Sequence, residues 1–180
     1  LFYEVLKPIY GHKLRLLLTD TDSFLFEIKG GPDFYDVMAD HPQHFDTSNL
    51  PQTFRAYSPT NKKKPGCFRC EYDGQPIKLY CGIRAKLYCI IDANNTAKKK
   101  CKGIKKSVVK NEIKPSDYLN CIFQNKDYYH EQSTIISQKM VLYTSKTKKH
   151  SLSSSDDKRI LLPDNISSIP IGHFQYERHK

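Results

Sequence analysis

The sequence lacks the features of membrane and secreted proteins. No apolar run approaches the ~20 residues that a membrane-spanning helix requires, and the first residues do not show the basic and then apolar layout of a secretory signal. The six cysteines are unevenly spaced in a chain of 180 residues, so they do not form the dense framework of a small disulfide-rich domain. We therefore expect a soluble intracellular chain with reduced thiols and no membrane partner.

Acidic residues are also scarce, above all in the middle of the chain. The formal net charge is +10, from 29 Lys and Arg against 19 Asp and Glu. Residues 61–110 alone hold 14 Lys and Arg against 3 Asp and Glu. Such a block predicts binding to a polyanion, most commonly nucleic acid, because neutralising phosphates releases counterions. The alternative is a solvated lysine surface that serves solubility.

The segment "LLLTDTDSFLFEI", residues 16–28, sets a polar cluster between two runs of strand-forming residues. It predicts a hairpin of strands over 13–19 and 23–28, with "DTDS" as the turn. Leu14, Leu16 and Leu18 alternate on one face while Leu17 adds apolar weight to the other, which predicts a central strand covered on both faces.

The two carboxylates of this turn are candidates for chemistry. Asp20 and Asp22 stand two residues apart, so in an extended chain their side chains point the same way. Paired carboxylates on a rigid hairpin suit a site for two magnesium ions, which need hard oxygen ligands and negative charge. Two ligands are too few, so a further carboxylate must come from elsewhere. The alternative is an ordinary polar turn, because Asp, Thr and Ser are common turn residues.

The rest of the chain predicts an α+β fold in two parts, an N-terminal part to about residue 92 and a smaller basic lobe over 93–180. In the first part, the patterns predict a helix over 2–9, a helix after Pro32, and a long strand or bent strand pair around Gly82 over 78–91. In the second part, they predict a turn and basic segment with a short helix over 94–113, and a helix over 117–123 capped by Ser116. Short strands are predicted in "KMVLYTS" and "RILLP", separated by the polar loop "TKKHSLSSSDD".

A zinc site is a competing hypothesis. Cys67 and Cys70 form a CxxC pair, and the other candidate ligands within reach are Cys81, Cys89, Cys101, His41 and His44. No second close pair exists, and Cys81 and Cys89 fall in the predicted strand as small buried hydrophobes.

Several motifs together resemble one enzyme family. "LLLTDTDSFLFEI" resembles motif C of the family B DNA polymerases, in which a palm hairpin presents a DTDS turn. "GIRAKLY" resembles their KxY motif, and "NKKKPGCFRCEYDG" is similar to the basic segment that precedes KxY in protein-primed members. "KKKCKGIKKSVVK" and "KHSLSSSDDKRILLPDNISSIPIGHF" resemble the thumb and C-terminal tail of polymerases from Polinton (Maverick) elements and related viruses. The resemblance covers nearly the whole chain.

This resemblance implies an antiparallel palm β-sheet with packed helices over 1–92, followed by a small basic thumb subdomain over 93–180. It implies template-directed addition of deoxynucleoside monophosphates to a primer 3′ end, by phosphoryl transfer with two Mg²⁺ ions. Asp20 and Asp22 would be the catalytic metal ligands, and Thr21 and Ser23 would shape the turn.

The resemblance also implies DNA-contacting residues. Lys86 and Tyr88 of KxY would contact the primer strand near its 3′ end, and strand alternation would place Arg84 on the same face. The lysines of the basic segments would contact phosphates independently of sequence. The full set is Arg84, Lys86, Tyr88, Lys62, Lys63, Lys64, Lys102, Lys105 and Lys106.

Parts of the family pattern lie outside this sequence. The DxxSLYP segment with the other catalytic aspartate, the nucleotide-binding helix and the exonuclease normally precede motif C, and Leu18 stands where many members have tyrosine. We therefore expect this fragment alone to be inactive and its site to be completed by a carboxylate outside the chain. The implied partners are primer-template DNA, deoxynucleoside triphosphates, the missing N-terminal regions and a terminal priming protein, in the nucleus or a viral factory. The alternative is a non-catalytic nucleic-acid-binding remnant.

Overall fold

The structure, a computed structural model, describes residues 1–155, 159–164 and 167–175. It divides into two compact units, Leu1–Lys98 and Lys99–Lys180. Helices and mainly antiparallel strands occur in both units, so the expected α+β class is confirmed. The division falls six residues after the predicted boundary at residue 92.

The first unit begins with a helix and a hairpin. A π-helical stretch, Phe2–Leu6, continues into helix α1, Lys7–Tyr10, and a 3₁₀ turn, Gly11–Lys13. The elements that follow are strands β1 (Leu14–Asp20) and β2 (Ser23–Ile28), helix α2 (Phe34–Asp40), a 3₁₀ turn (Pro42–His44), and strands β3 (Phe45–Asp46), β4 (Phe68–Arg69), β5 (Ile77–Arg84), β6 (Leu87–Asp92) and β7 (Ala97–Cys101), which ends in the second unit.

These strands form three small sheets. Strands β1 and β2 pair antiparallel, β3 and β4 make a short parallel pair, and β5, β6 and β7 form a three-stranded sheet in that order. Helix α2 begins where predicted, because the Asp33 side chain accepts a hydrogen bond from the Tyr35 backbone N–H at 2.8 Å. The apolar faces of the π-helical stretch, β1 and α2 meet in a core that includes Leu6, Leu14 and Val37.

Strand β1 differs from the prediction of a central, doubly covered strand. It pairs only with β2 among the described residues, and Leu16 is 39% exposed. The register shifts between Leu16 and Leu18, and a bulge of this kind breaks the two-residue alternation on which the prediction rested. The three leucines therefore do not share one buried face.

The second unit contains two helices and a long two-stranded ribbon. Its elements after β7 are helices α3 (Lys106–Asn111) and α4 (Pro115–Phe123) and strands β8 (Tyr128–Gln138), β9 (Val141–Leu152), β10 (Arg159–Leu161) and β11 (Ser168–Pro170). Strands β8 and β9 pair antiparallel, as do β10 and β11. Ile113, Tyr118, Cys121 and Leu152 are fully or almost fully buried and supply the core of this unit.

Helix α4 starts earlier than predicted. Its N-cap is Lys114, with Pro115 in the first turn, so Ser116 lies inside the helix and the predicted serine cap is wrong. Proline is favoured at this position because its missing N–H needs no partner there. The Asp117 carboxylate accepts a hydrogen bond from the Lys114 backbone N–H at 2.7 Å, which stabilises the helix start in the serine's place.

The strands of the second unit were only partly predicted from the sequence. Strands β7, β8 and β11 were not predicted, and residues 147–152 of the predicted polar loop belong to β9. The last two residues of that loop, 156 and 157, lie outside the described residues. An exposed two-stranded ribbon buries little of either face, so its sequence need not alternate apolar and polar residues. No helix among the described residues has the length and apolar character needed to cross a membrane.

Candidate functional site

The DTDS segment forms a tight turn at the end of the first hairpin. Asp20 pairs with Ser23, so Thr21 and Asp22 are the two loop residues. Thr21 has a φ of 63°, a left-handed conformation that costs a β-branched residue about 1–3 kcal/mol. The Ser23 hydroxyl donates to the Asp20 carbonyl at 3.1 Å, and the Thr21 hydroxyl reaches the Asp20 carboxylate at 3.5 Å. Thr21 and Ser23 thus hold the turn that presents both carboxylates.

Lys86 meets this turn from a second hairpin. Strands β5 and β6 are joined by Ala85 and Lys86, and Lys86 has a φ of 60°. Its ammonium forms an ion pair with one carboxylate oxygen, Oδ1, of Asp20, 66 residues away in sequence. The Asp20 side chain is 16% exposed and that of Lys86 is 48% exposed. The structure therefore brings together one residue from each of the two motifs that the sequence singled out.

The predicted common face of Arg84, Lys86 and Tyr88 is wrong. Lys86 lies in the hairpin turn rather than in a strand, and the bend is at Ala85 and Lys86 rather than at Gly82. Arg84 is exposed and lies opposite Leu87, whereas Tyr88 is 5% exposed and lies opposite Gly82. Neither turn residue is one that commonly signals a hairpin, so the sequence did not indicate a bend at these two positions.

Tyr88 is packed inside the first unit near the Asp20 carboxylate. Burial raises the pKa of its phenol, and the negative charges of Asp20 and Glu71 raise the pKa further. Its ring lies 6.4 Å from that of Tyr80, whose hydroxyl donates to the Leu17 carbonyl at 3.4 Å. The two tyrosines pack the second hairpin beside the first, and in this conformation Tyr88 offers little surface to DNA.

A cavity of about 690 Å³ adjoins the turn within the first unit. Thr21, Asp22 and Ser23 line one side of it, and most of the remaining wall is apolar. The Tyr72 hydroxyl is buried without a hydrogen-bond partner among the described residues, and burial raises the pKa of Tyr72 to about 12. Lys98 pairs with Glu71 and lies over the Tyr72 ring. The exposed carboxylate of Asp22 therefore stands at an apolar recess large enough for a small molecule.

The donor atoms at the turn suit a hard cation but do not complete its coordination. Asp20 and Asp22 supply carboxylate oxygens, the ligands that Mg²⁺ prefers. No group of three His, Cys, Asp or Glu side chains gathers into a metal site within the described residues. A magnesium site here thus requires at least one ligand in addition to Asp20 and Asp22.

The six cysteines, all of which lie in the described part of the chain, form no disulfide bonds with one another. Cys81 and Cys89 are buried cross-strand neighbours in the second hairpin, as small apolar residues in a strand should be. The Cys70 sulfur accepts from the Gly74 backbone N–H at 3.4 Å, and the Cys67 thiol donates to the Gln43 carbonyl at 3.7 Å. The CxxC pair is thus part of the local loop structure.

The lysines at positions 62–64 lie on an exposed turn that is stabilised by hydrogen bonds to neighbouring loops. Asp46 is 3% exposed, and its carboxylate accepts from the backbone N–H groups of Ser48 and Lys63, each at 3.0 Å. The Asn61 side chain donates to the Pro42 carbonyl at 2.7 Å. The backbone of this turn is therefore fixed while its three ammonium groups remain in solvent, an arrangement suited to phosphate contacts.

The Asp46 carboxylate makes the stability of the first unit depend on pH in the acidic range. Burial alone would raise its pKa, but hydrogen bonds from Ser48 and Lys63 outweigh burial and lower it. The charged form thus stabilises the fold above the unfolded pKa of about 4, and this stabilisation is lost as the pH falls through the folded pKa. We expect Asp46→Asn to lower the free energy of unfolding at pH 7 by about 1–3 kcal/mol, measured by urea titration.

The difference between Asp46→Asn and wild type should shrink at pH 3. Glu4→Gln, which removes a carboxylate that is 85% exposed, is the matched control and should change stability by less than about 0.5 kcal/mol. An Asp46→Asn protein as stable as wild type at pH 7 would contradict this account of the lysine turn.

The other predicted phosphate contacts belong to the second unit. Lys102, Lys105 and Lys106 are exposed, and the Lys105 backbone N–H donates to the Gln132 side chain at 2.8 Å. Lys99, in the same basic run, instead donates to the Lys110 carbonyl at 3.1 Å and to the Ile113 carbonyl. Part of the basic tract is therefore used inside the fold, and the remainder is available to a ligand.

Comparison of the chain with protein-family models, curated proteins and solved structures found no match. Function is therefore inferred from the residues themselves. The contact between Lys86 and Asp20 is the feature that the sequence did not reveal, because only the packing of the two hairpins brings these residues together.

Proposed function

We propose that the chain is the C-terminal palm and thumb portion of a protein-primed family B DNA polymerase, which adds deoxynucleotides to a primer 3′ end. The observation that carries the proposal is the ion pair between Lys86 and Asp20. It unites the DTDS and KxY motifs, which lie far apart in sequence, at one position on the first unit. A chance resemblance of two short segments would not require them to meet.

Each residue at this position has a role that matches its chemistry. Asp20 and Asp22 would hold the magnesium ions together with a carboxylate from an N-terminal region of the same protein. When bound, the ions supply Lewis-acid stabilisation of the reacting oxygens. Thr21 and Ser23 fix the turn so that both carboxylates are presented without reorganisation. Lys86, whose ammonium lies at Asp20, would bind a phosphate of the primer next to the reacting end.

The same ion pair also favours a second candidate, a non-catalytic nucleic-acid-binding remnant. The Lys86 ammonium already neutralises one oxygen of Asp20, as a permanent substitute for a metal ion would. The exposed lysines of both units are sufficient for sequence-independent binding to DNA without catalysis.

Primer extension by the product of the complete reading frame separates the two candidates. The polymerase proposal expects magnesium-dependent extension of a primed template, with DxxSLYP and exonuclease carboxylates encoded upstream of Leu1. A product that binds DNA but does not extend a primer, or a stop codon close upstream of Leu1, would establish the remnant instead.

Replacement of Lys86 tests the proposed contact with the primer. We expect Lys86→Ala in that full-length product to weaken binding to primed DNA at all sequences alike. It should also lower the slope of log affinity against log salt by about 0.7–0.9, the value for one lost phosphate contact. Fluorescence anisotropy over a salt series measures both quantities.

Lys78 provides the matched control. It lies on the same hairpin, is exposed, and its ammonium donates to the Asn95 side chain at 3.0 Å. Lys78→Ala should leave the salt slope unchanged. Normal affinity and normal extension in Lys86→Ala would remove Lys86 from the site.

A further inference from the structure

The ribbon of β8 and β9 leaves the outer edges of both strands unpaired. Neither strand pairs with a third strand among the described residues. Within the same part of the chain, no backbone group of residues 128–152 forms a hydrogen bond to the backbone outside the ribbon. A row of unpaired N–H and C=O groups along an edge is a template for another strand.

The register of the ribbon decides which residues face outwards. Lys139 and Met140 form the two-residue loop, with φ values of 49° and 64°. Gln138 and Val141 therefore close the turn as a hydrogen-bonded pair, and hydrogen-bonded and non-hydrogen-bonded pairs alternate behind them. The residues of the non-hydrogen-bonded pairs direct their N–H and C=O groups away from the ribbon. They are Glu131, Ser133, Ile135 and Ser137 on β8, opposite Lys148, Lys146, Thr144 and Leu142 on β9.

The two edges differ in charge. Lys146 and Lys148 lie on the outer edge of β9, and lysine on an edge strand opposes the addition of another strand. Strand β8, with the sequence "YYHEQSTIISQ", contains no lysine, arginine or proline. Ile135 in its outward row is 74% exposed, and Glu131 and Ser137 are exposed as well. The β8 edge is therefore the one that is open to a further strand.

We propose that this edge binds a second copy of the chain, by antiparallel pairing of β8 with β8. In a two-fold register centred on Ile135, residues 132–138 of the two copies form the new ladder, and the Ile135 side chains lie opposite each other. This register also places Lys139 of one copy opposite Glu131 of the other, once at each end. Opposite charges across a strand pair stabilise the pairing, so the charges at the two ends of the β8 edge favour this register.

The arrangement stops at two copies. It gives a sheet in the order β9–β8–β8–β9, whose outer edges carry Lys146 and Lys148. Pairing of β9 with itself through these residues would place lysines opposite lysines, which is unfavourable. A two-fold interface uses the same surface on both copies and therefore closes on itself. Because the edge is short, the dimer should be weak and should dissociate on dilution.

Sedimentation velocity of the chain over a concentration series tests the dimer. The chain is first treated with nuclease, because a basic protein retains nucleic acid, and the assay contains no DNA, magnesium or nucleotide. Its outcome is therefore separate from that of primer extension, and the proposal does not rest on the polymerase function. Wild type should shift from monomer to dimer between low-micromolar and submillimolar concentration.

One cross-strand pair provides both the test variant and its matched control. Ile135 on the β8 edge lies opposite Thr144 on the β9 edge. Ile135→Lys puts like charges opposite each other across the new ladder and should raise the dissociation constant of the dimer at least about tenfold. Thr144→Lys adds the same charge to the other edge and should leave the dissociation constant unchanged. Urea unfolding followed by circular dichroism would verify that both variants are folded.

An exchange of charges tests the register. Lys139→Glu places two glutamates opposite each other at each end of the ladder and should raise the dissociation constant at least about fivefold. Combining it with Glu131→Lys restores opposite charges and should recover the wild-type affinity. Met140→Ser removes a hydrophobic side chain that is 98% exposed at the tip of the ribbon. It is the control for non-specific apolar association and should dimerise as wild type does.

Hydrogen exchange measured by NMR locates the interface. The N–H groups of Ser133, Ile135 and Ser137 should exchange more slowly as the concentration of the chain rises, because each donates to the second copy. The N–H groups of Thr144 and Lys146 on the other edge should exchange at rates that do not depend on concentration.

The proposal fails if the wild-type chain stays monomeric over the whole concentration series, or if Ile135→Lys dimerises as wild type does. Growth into filaments would mean that β8 pairs with β9 of the next copy, which is an open arrangement in place of the closed one. Loss of the dimer in Met140→Ser would assign the association to the apolar tip instead of the β8 edge.

Discussion

Asp22→Ala is expected, under the proposed polymerase function, to abolish primer extension by the product of the complete reading frame while leaving its affinity for DNA largely intact. Asp22 is exposed on the turn at an apolar cavity, where its carboxylate would be a ligand of the magnesium ions. A metal ion contributes several kcal/mol of transition-state stabilisation, and each 1.36 kcal/mol corresponds to a factor of ten in rate. We expect a loss of at least about a thousandfold in single-turnover extension, measured by rapid quench.

Asp22→Asn sharpens this test because it keeps the size of the side chain and removes the charge. It should be nearly as inactive as Asp22→Ala. Asp36→Asn, which changes an exposed carboxylate on α2 paired with Arg55, should extend primers as wild type does. Unchanged extension by Asp22→Ala would refute the metal role of the turn and would leave the remnant as the better account of the chain.

The largest expected effect on stability is that of Tyr118→Ala in the second unit. The Tyr118 side chain is 0% exposed, and its hydroxyl donates to the Lys100 carbonyl at 2.9 Å, which joins α4 to β7. Truncating a buried aromatic ring leaves a cavity that costs about 3–5 kcal/mol. Urea unfolding followed by circular dichroism should show the transition of this unit at a much lower urea concentration.

Tyr118→Phe and Phe123→Ala divide that effect into its parts. Tyr118→Phe keeps the ring and leaves the Lys100 carbonyl without this donor, so we expect a loss of about 1–2 kcal/mol. Phe123 lies on the same helix but is 80% exposed, and its replacement by alanine should change stability by less than about 0.5 kcal/mol. A Tyr118→Ala protein that unfolds at the same urea concentration as wild type would show that this side chain does not stabilise the core of the unit.

The local turn chemistry was predictable from the sequence because it depends on neighbouring residues. The predicted hairpin is present. Strand β1 begins and ends one residue later than predicted, and strand β2 has its predicted bounds. Apolar β-formers flank four short polar residues there, and that pattern favours a hairpin turn, whereas the structure shortened its loop to Thr21 and Asp22. Helix α2 was likewise predicted after Pro32, and the structure shows that Asp33 is its N-cap.

Exposure of whole strands was not predictable in the same way. Leu14 to Leu18 looked like a strand covered on both sides, yet Leu16 remains 39% exposed. Strand β9 contains "TKKHSL", which looked like a loop. Burial depends on which elements happen to pack on each face, and a single strand's sequence does not contain that information.

The sequence by itself determined the α+β class, the turn that presents Asp20 and Asp22, and the concentration of positive charge in residues 61–110. These follow from residue type and spacing over a few positions. Only the tertiary structure decided that Lys86 reaches Asp20, that Tyr88 is buried, and that Met140 stands on an exposed ribbon tip. Each of these depends on contacts, or on the lack of contacts, between segments distant in sequence, which arise when the hydrophobic faces of whole elements are buried together.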